Sequence, residues 1–283
     1  MRISFLITTL NRFPLVSNAI ESIENAILPD NITWEVVVID QEPSEDLKFL
    51  CQKRGYKYKY SERRGLSFAR NMGVDLCEGT HILTLDDDAM IDPLFFQTVI
   101  ENEQIFSNYS GVSGRIMRID SPNEPFSRHQ NSEESDIDLY SLDTVLSSAL
   151  IVRKSVYKEI GYFDNSFGLG GKWGGSEETD YLIRMLKGGK QVRFLPDLTV
   201  YHPPACYKNV SLVDTVKKMY NYGLGRGALL KKHSLPNLVK LMNYIYPLLG
   251  FLFSLGKLRL KHSAGYLCSM SGRVVGYFRY KKN

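Results

Sequence analysis

Three adjacent carboxylates, Asp86, Asp87 and Asp88, come directly after the apolar run 81–85. Like charges at this spacing repel one another, so we expect positively charged groups to compensate them. Carboxylate oxygens suit hard divalent cations, which often bridge a protein carboxylate to substrate phosphates. An acidic turn or a helix N-cap would use the same residues. Because this carboxylate triplet follows a predicted buried strand, we favour a role in holding a metal and a diphosphate.

Polar side chains also follow two other predicted strands. Thr8, Thr9 and Arg12 come at the end of the first strand, and Asp40 closes the second. A carboxylate at this point can accept hydrogen bonds from a ribose or a base, whereas an aspartate after a strand can also simply begin a turn. Ligands of parallel α/β sheets bind at the carboxyl ends of the strands. We therefore expect these residues to line one donor-binding edge.

A predicted helix between these strand ends carries Arg70 and Asn71. The guanidinium group suits recognition of phosphates or base edges. The alternative is a solvated helix face. His202 follows a predicted strand at 199–201; a lone histidine is more often structural than a ligand, but beside an acidic triplet it is a candidate metal ligand.

A second group of acids lies in the first turn of a predicted helix at 177–187. These acids are Glu177, Glu178 and Asp180. Acidic residues favour helix N-termini for structural reasons alone. The functional interpretation is a carboxylate general base that takes a proton from an acceptor hydroxyl.

The segment before that helix is rich in glycine. Gly174 and Gly175 would allow the loop to fold over a bound donor. Trp173 would either stack on a sugar or anchor a core. We take these three residues as candidates for contact with the acceptor or the sugar.

The elements that must position these residues alternate along the chain. Strands are predicted at 3–9, 34–39, 56–60, 81–85, 112–119, 147–152, 192–194 and 199–201. Helices are predicted at 14–27, 45–54, 66–76, 93–106, 154–160 and 177–187. This rhythm predicts an α/β fold with a mostly parallel sheet covered on both faces by helices. The polar segment 121–143 interrupts it and is predicted to be a surface insertion.

The charge of the chain is unevenly distributed. Of 283 residues 23% are charged and the net charge is +4, yet thirteen Lys or Arg and no acid lie from Thr215 onward. The apolar stretch 241–256 lies within this basic region. Apolar residues beside cations, without acids, predict an interfacial membrane anchor rather than a nucleic-acid arm. A bilayer span is less favoured because the stretch is short, and packing on the catalytic body or on a second subunit, hence an oligomer, stays open.

Two further features bear on organisation and location. We expect a catalytic domain at 1–210 and a helical, basic region at 211–283. The four cysteines (Cys51, Cys77, Cys206 and Cys268) form no CxxC pair, which indicates neither a disulfide framework nor a zinc site and fits a reducing compartment. The N-terminus is predicted to be a strand rather than a signal peptide. A cytoplasmic protein, peripheral on the cytoplasmic face of a membrane, is expected.

The order of the motifs resembles that of the family 2 glycosyltransferases of the GT-A fold. The matching segments are 8–12, Asp40, 65–73, 85–88, 161–164, 177–180 and 201–204, spread from residue 3 to about 205. The resemblance implies a Rossmann-related GT-A sheet and an inverting transfer from a nucleotide-sugar, with UDP as the family's usual carrier. It also implies a role in the synthesis of polysaccharides or glycoconjugates.

The resemblance assigns roles to individual residues. Asp40 would contact the nucleoside, with Thr9 in the same pocket, and Arg70 would help to hold the nucleotide. Asp86 and Asp88 would form the DxD pair that contacts ribose and a divalent metal, Mn²⁺ or Mg²⁺. The catalytic base is usually the second acid of a Glu-Asp pair. This chain has Glu178 at that position, one methylene longer, so Glu177 and Asp180 stay open as alternatives.

Two other classes of protein fit parts of the pattern. A sugar nucleotidyltransferase also uses a parallel sheet and a metal, but it typically carries a Gly-rich basic loop after the first strand. Residues 8–12, which occupy that position in this chain, contain no glycine. A catalytically inactive protein that binds sugar nucleotides or glycans is suggested only by the Glu-for-Asp change. The acceptor, a glycan or a lipid-linked glycan, is not specified by the sequence.

Overall fold

A computed structural model describes residues 1–127, 129–130, 132–204 and 210–281, so that Cys206 lies outside the described residues. The chain forms two compact units. The first, the sheet unit, comprises Met1–Phe163 and Arg184–Pro204. The second, the helical unit, comprises Asp164–Ile183 and Ala205–Asn283. The expected division at residue 210 therefore differs from these units, since Asp164–Ile183 groups with the C-terminal helices.

The strands of the sheet unit are β1 (Arg2–Thr9), β2 (Thr33–Asp40), β3 (Lys57–Tyr60), β4 (His81–Asp86), β5 (Met90–Ile91), β6 (Gly111–Arg118), β7 (Ser121–Pro125), β8 (Ser135–Asp136), β9 (Leu150–Arg153) and β10 (Val192–His202). Within the described residues they form one sheet, in the order β3-β2-β1-β4-β9-β6-β10-β5, with β7 beside β6 and β8 beside β10.

Only the first half of this sheet is parallel throughout. Strand β1 pairs in parallel with β2 and β4, and β2 with β3. Strand β9 is antiparallel to both β4 and β6, and β10 is parallel to β6 but antiparallel to β5. The α/β prediction is confirmed, but the sheet is mixed because β9 runs against its neighbours.

The register of β1 brings polar strand ends to one level. Thr9 lies opposite Asp40 on β2, and Thr8 lies opposite Asp86 on β4. The interiors of these strands are almost continuously buried, as expected for strands covered on both faces. The predicted alignment of the strand ends is therefore observed.

The helices are α1 (Phe13–Glu24), α2 (Glu45–Arg54), α3 (Leu66–Leu76), α4 (Phe95–Glu101), α5 (Glu103–Asn108), α6 (Lys154–Ile160), α7 (Glu177–Lys187), α8 (Leu212–His233), α9 (Asn237–Gly256) and α10 (Leu260–Arg279). Local signals explain several of these bounds. Ser44 accepts a hydrogen bond from the Leu47 amide at the start of α2, and Gly55 adopts the left-handed conformation at its end.

Three elements differ from the sequence prediction. The helix expected at 93–106 is two helices, because the backbone turns at Asn102, whose side chain donates to the Thr98 carbonyl. The strands expected at 192–194 and 199–201 are one strand, β10, with an irregularity between Leu195 and Thr199. The strand expected at 147–152 begins as a 3₁₀ turn, and the segment 121–143 carries the short strands β7 and β8.

Glycines set the packing in the helical unit. Helices α8 and α10 approach so closely that a Cβ on Gly223 would lie 2.1 Å from the Ser269 carbonyl oxygen, and one on Gly276 would lie 2.0 Å from that of Leu224. Only residues without a side chain allow two helix backbones this near each other. Most of the basic region therefore forms a helical bundle with its own packed interior.

A buried glutamate in the sheet unit joins three segments of the chain. The Glu35 side chain is 9% exposed and accepts hydrogen bonds from Ser4 Oγ (2.5 Å), Lys57 Nζ (2.9 Å) and the Gly79 amide (2.9 Å). Although burial alone raises it, these donors lower the pKa of Glu35 to about 2. Glu35 lies within a predicted strand, where the local sequence gives no sign of these partners.

We expect Glu35 to contribute pH-dependent stability. Because the folded pKa lies below the ordinary value, this contribution is complete above about pH 5 and is lost as the pH falls towards 2. Glu35→Gln should lower the free energy of unfolding by about 2 kcal/mol at pH 7, because the amide cannot replace the charged acceptor of these hydrogen bonds. The loss is no larger because Arg2 and Lys57 are partly exposed, so that water screens their charges. Urea unfolding at pH 7 and pH 3 tests this: the difference between the two proteins should shrink at pH 3. An equal difference at both values would contradict it. Glu45→Gln, on the exposed surface of α2, is the control.

Candidate active site

The first carboxylate of the triplet is held by a buried arginine. Asp86 ends β4, and its Oδ1 accepts a hydrogen bond from Arg70 at 3.1 Å while its Oδ2 accepts one from Ser148. Arg70 lies on α3, is 1% exposed, and also contacts Ser147 Oγ at 3.3 Å. Its predicted contact with a nucleotide stays a prediction, but in this structure Arg70 fixes the orientation of Asp86.

The second carboxylate ties the ends of β1 and β4 together. Thr9 Oγ1 donates to Asp87 at 2.7 Å, and Arg12 donates to its other oxygen at 2.6 Å. Asp87 is buried, and burial raises its pKa to about 6 against the opposing effects of Thr9 and Arg12. Asp87 therefore links the segments that follow β1 and β4, and its contact with the donor stays a prediction.

The third carboxylate lies between two cationic groups. Arg12 donates to Asp88 Oδ2 at 2.8 Å, and His202 Nε2 lies 3.1 Å from Asp88 Oδ1. Burial raises the pKa of Asp88, but the hydrogen bonds from His202 and Arg12 outweigh it and hold this pKa well below the usual range. Together with Arg70, these groups supply the compensating charge that the triplet was predicted to require.

His202 is oriented by its neighbours. Its Nδ1 lies 2.7 Å from the Pro203 carbonyl oxygen, and the Phe126 ring stands edge-on at 4.9 Å between centroids. A carbonyl oxygen only accepts, so Nδ1 carries a proton. Nε2 then points at two carboxylates, with Asp88 Oδ1 at 3.1 Å and Asp86 Oδ2 at 3.8 Å. This arrangement requires either a doubly protonated ring or a cation shared by the three side chains.

The donor set fits a divalent metal in part. Among the described residues, no group of three His, Cys, Asp or Glu is already arranged to hold an ion. Asp86, Asp88 and His202 nevertheless converge, and the hydrogen bond from Nδ1 to a backbone carbonyl is the usual partner of a metal-binding imidazole. Mg²⁺ and Mn²⁺ sites of substrate diphosphates often use only one or two protein side chains.

Asp40 has a local role in this structure. It is fully buried, and its oxygens accept hydrogen bonds from the amides of Glu42 (3.0 Å) and Ser44 (3.2 Å) and from the Tyr58 hydroxyl (3.0 Å). It therefore closes the turn between β2 and α2, which was the alternative interpretation. Its contact with a nucleoside stays a prediction.

Asn71 joins α3 to the chain at Phe163. Its amide nitrogen donates to the Phe163 carbonyl at 2.9 Å, and its amide oxygen accepts from the Phe163 amide at 2.9 Å. This reciprocal pair of hydrogen bonds fixes the Asn71 side chain against the backbone of Phe163. Its contact with the donor stays a prediction. Thr8, at the level of Asp86, is also buried.

The helical unit holds the first turn of α7 through a buried ionic network. Asp180 is 0% exposed, and its Oδ1 lies 2.6 Å from Lys232 Nζ and 2.7 Å from His233 Nε2, both at the end of α8. Lys232 also contacts Asp164 at 2.7 Å. In this structure Asp180 is therefore enclosed in an ionic network of the helical unit. Its assignment as an alternative base stays a prediction.

The glycine-rich loop packs against α8. A Cβ on Gly174 would lie 2.8 Å from the side chain of Asn221, and the Gly175 carbonyl oxygen would lie 2.6 Å from a Cβ on Gly225. Trp173 is buried, with its ring 5.6 Å from that of Tyr280. Trp173 thus serves as a core anchor in this structure, and its contact with a sugar stays a prediction. The two glycines permit close packing against α8, and their contact with the donor or acceptor stays a prediction.

The two remaining acids differ in exposure. Glu177 is buried and Glu178 is partly exposed, and both begin α7. A base must reach its substrate, so exposure favours Glu178 over Glu177. The assignment of Glu178 as the base stays a prediction.

Comparisons with known proteins decide the family. The family model described as glycosyl transferase family 2 matches residues 4–161, more than half of the chain. This chain belongs to glycosyl transferase family 2. The matched range contains the strand ends that carry the carboxylate triplet.

Relatives of this family 2 enzyme share limited identity with it. An uncharacterized glycosyltransferase of Rickettsia felis is 30% identical over 121 residues, 38% of this chain and 19% of that protein. The uncharacterized glycosyltransferase YwdF of Bacillus subtilis is 26% identical over 171 residues, 58% of this chain and 62% of YwdF. The chain thus spans about a fifth of the Rickettsia protein's length.

Solved structures show the GT-A fold. Staphylococcus aureus TarS 1-349 in complex with UDP-GlcNAc matches with a TM-score of 0.63 at 15% identity, over 98% of this chain and 92% of that one. The mannosyltransferase PcManGT from Pyrobaculum calidifontis, in complex with GDP-Man and Mn²⁺, matches with a TM-score of 0.60 at 13% identity. The match covers 99% of this chain and 76% of PcManGT. At these identities the likeness shows the fold alone.

Sequence reasoning about this family 2 enzyme missed several residues that hold the candidate site. Ser147 and Ser148 contact Arg70 and Asp86, yet nothing in a short Ser-Ser-Ala run indicates this. Lys232 was counted only among the basic residues of the C-terminal region, and His233 was not singled out. A signal existed there, because a lysine and a histidine adjacent at a helix end can bind a buried acid.

The ionic network of the helical unit should be important for stability. Asp180→Asn keeps the shape but leaves Lys232 and His233 facing an amide in a buried place, so we expect a loss of about 3 kcal/mol. Chemical unfolding of the full chain measures it. The surface substitution Asp214→Asn should cost less than about 1 kcal/mol. A loss at Asp180 no larger than at Asp214 would contradict the structural role.

Proposed function

We propose that this enzyme is an inverting, metal-dependent transferase that moves a sugar from a nucleoside diphosphate, UDP in the first instance, to a hydroxyl of a glycan or lipid-linked acceptor. The observation that supports it is the convergence of Asp86, Asp88 and His202 at the ends of β4 and β10. The sugar, the base and the acceptor are parts of this proposal. Its setting would be polysaccharide or glycoconjugate synthesis at the cytoplasmic face of a membrane.

The protein's own groups prepare a diphosphate site. Arg70 and Ser148 hold Asp86, while Arg12 and His202 hold Asp88, so both carboxylates are oriented before a ligand arrives. Pre-oriented charges stabilise a developing charge without reorganising during the reaction. A divalent ion held by Asp86, Asp88 and His202 would neutralise the leaving diphosphate.

Glu178 is proposed as the base. Its carboxylate would take the proton of the acceptor hydroxyl as the oxygen attacks the anomeric carbon from the face opposite the diphosphate. The bond from that carbon to the diphosphate oxygen breaks, and the nucleoside diphosphate leaves. One displacement inverts the anomeric configuration.

A donor screen by thermal shift tests the donor and metal together. The protein is heated with UDP-sugars or GDP-sugars, each with Mn²⁺, Mg²⁺ or EDTA. A ligand that binds only the folded state raises the melting temperature, by about 2.7 kcal/mol of stability at a hundredfold excess over its Kd. We expect one donor to give a shift that EDTA removes. Equal shifts with and without metal would overturn the metal assignment.

Two alternatives have distinct signatures in solution. A sugar nucleotidyltransferase would release pyrophosphate from a sugar phosphate and a nucleoside triphosphate. An inactive binding protein would bind the donor with metal but neither hydrolyse it nor transfer its sugar to any acceptor. Membership in glycosyl transferase family 2 and the partly exposed Glu178 favour transfer over both.

A further inference from the structure

Helix α9 has two chemically different sides. Its buried residues are Asn243, Pro247 and Ser254, which share one side of the helix. The opposite side presents exposed leucines, three, four or seven residues apart, at Leu238, Leu241, Leu248, Leu252 and Leu255. An exposed apolar stripe of this length is unusual on a soluble surface and indicates a binding face.

The turn from α9 to α10 continues this face. Leu258 is 82% exposed and has a positive φ of 54°, a conformation that leucine rarely adopts. It lies between Lys257 and Arg259, and the exposed Leu260 follows. Alternating leucines and cations at a turn allow the apolar side chains to enter a lipid interface while the cations stay at the phosphates.

The charge pattern distinguishes a bilayer from a second helix as the occupant. Residues 241–256 contain no charged side chain, whereas Lys240 and Lys257 lie at their two ends. Helices that pair in water usually carry charges beside the apolar stripe, which set partner and register. Without acids from Thr215 onward, helices α9 and α10 are complementary to an anionic surface and not to a copy of themselves.

The inner side of α9 argues against a span. By length and composition α9 is the one helix, among the described residues, that qualifies as a candidate to cross a membrane. However, Arg226 on α8 donates to Asn243 Oδ1 at 2.6 Å, and Arg273 on α10 donates to the Asn243 carbonyl. A span with these contacts intact would carry two arginines into the hydrocarbon, which is costly.

We propose that the leucine face of α9 and the turn at Leu258 lie in the surface of an anionic lipid bilayer, with Lys257 and Arg259 at the phosphates. The face, defined by the leucines above together with Leu258, is called the lipid face. The proposal concerns a surface of the helical unit, and its test is independent of sugar transfer.

Vesicle sedimentation with the full chain tests the proposal. The protein should sediment with vesicles of phosphatidylcholine and phosphatidylglycerol, and much less with phosphatidylcholine alone. Leu252→Asp should weaken binding by about tenfold or more, because a charged group replaces a buried leucine. Lys257→Gln with Arg259→Gln should weaken it by about fivefold for each cation, and high salt should have a similar effect.

A matched control uses a leucine of similar exposure elsewhere. Leu28, on the sheet unit, is 49% exposed, and Leu252 is 53% exposed. Leu28→Asp should leave vesicle binding unchanged. The donor-induced thermal shift should be the same in all these variants, so a failure of donor binding and a failure of membrane binding are separately visible.

Three results would overturn the proposal. Binding that Leu252→Asp does not reduce would place the contact elsewhere. A dimer in solution that Leu252→Asp dissociates, without any vesicle binding, would assign the lipid face to a second copy. Protein that alkaline carbonate fails to release from vesicles would show insertion across the bilayer instead of an interfacial position.

Discussion

Replacing Asp88 by asparagine should remove the metal-dependent part of donor binding and reduce sugar transfer by about a thousandfold. The change is isosteric, so Arg12 and His202 keep their packing but face a neutral amide. A metal needs the negative oxygen, and the amide also leaves the Arg12 guanidinium with only one of its two carboxylate partners. Thermal shift with donor, in Mn²⁺ and in EDTA, measures binding, and an initial-rate assay measures transfer.

A conservative control separates this effect from a general loss of charge. Asp120 forms an exposed pair with Arg118 and lies outside the triplet. Asp120→Asn should bind donor and metal like the unmodified protein. If Asp88→Asn kept its metal-dependent shift, the triplet would not be the metal site, and the donor would have to be held by other groups.

The parts of the fold that follow from local sequence were predictable. Helices α2, α3, α6 and α7 begin and end where their patterns indicated, because Ser44, Gly55 and similar residues act within one turn. The polar residues after β1, β2 and β4 were expected at one edge, and register places them there. Such inferences depend only on residues that are close to one another in the sequence.

The direction of β9 could not be predicted in the same way. An apolar run of four residues fits a parallel or an antiparallel strand equally well, and its direction depends on where the preceding connection crosses the sheet. The short strands β5, β7 and β8 are equally ambiguous, because two to five residues carry too little pattern. The mixed half of the sheet is therefore a property of tertiary pairing.

Burial was the property of the candidate site that the sequence indicated least. Asp40, Trp173 and Asp180 have residue types that suit binding or catalysis, and in this structure all three are buried and make packing, hydrogen-bond or ionic contacts. Sequence identifies what a side chain is able to do. Whether it faces a substrate depends on partners distant in the chain, such as Lys232 for Asp180, 52 residues later.

The buried network changes how the basic C-terminal region is understood. Lys232 forms salt bridges with Asp164 and Asp180. His233 also contacts Asp180, in the first turn of α7. The end of α8 therefore fixes the backbone that carries Glu178. The basic region, for which both a membrane anchor and a packed helical region were considered, therefore contacts the helix that carries the proposed base, within the same compact unit.

Substitution of Glu178 by glutamine should abolish transfer while leaving donor binding intact. The side chain keeps its length and hydrogen-bonding capacity but can no longer take a proton, and the loss of a general base typically costs about a hundredfold to ten-thousandfold in rate. Initial rates with a saturating donor measure the first effect, and the donor-induced thermal shift measures the second. Glu178→Asp, which restores the acid usual in family 2, should keep part of the activity because the carboxylate is retained one methylene shorter.

The neighbouring acid provides the decisive comparison. Glu177 is buried, so Glu177→Gln should lower the melting temperature more than it lowers the rate measured at a temperature where the variant is folded. If Glu177→Gln abolished transfer and Glu178→Gln did not, the base would be the first acid of the pair. If neither variant lost activity, the proposal that a glutamate of α7 takes the proton of the acceptor hydroxyl would be wrong. The third acid of this turn, Asp180, is enclosed between Lys232 and His233 in this structure.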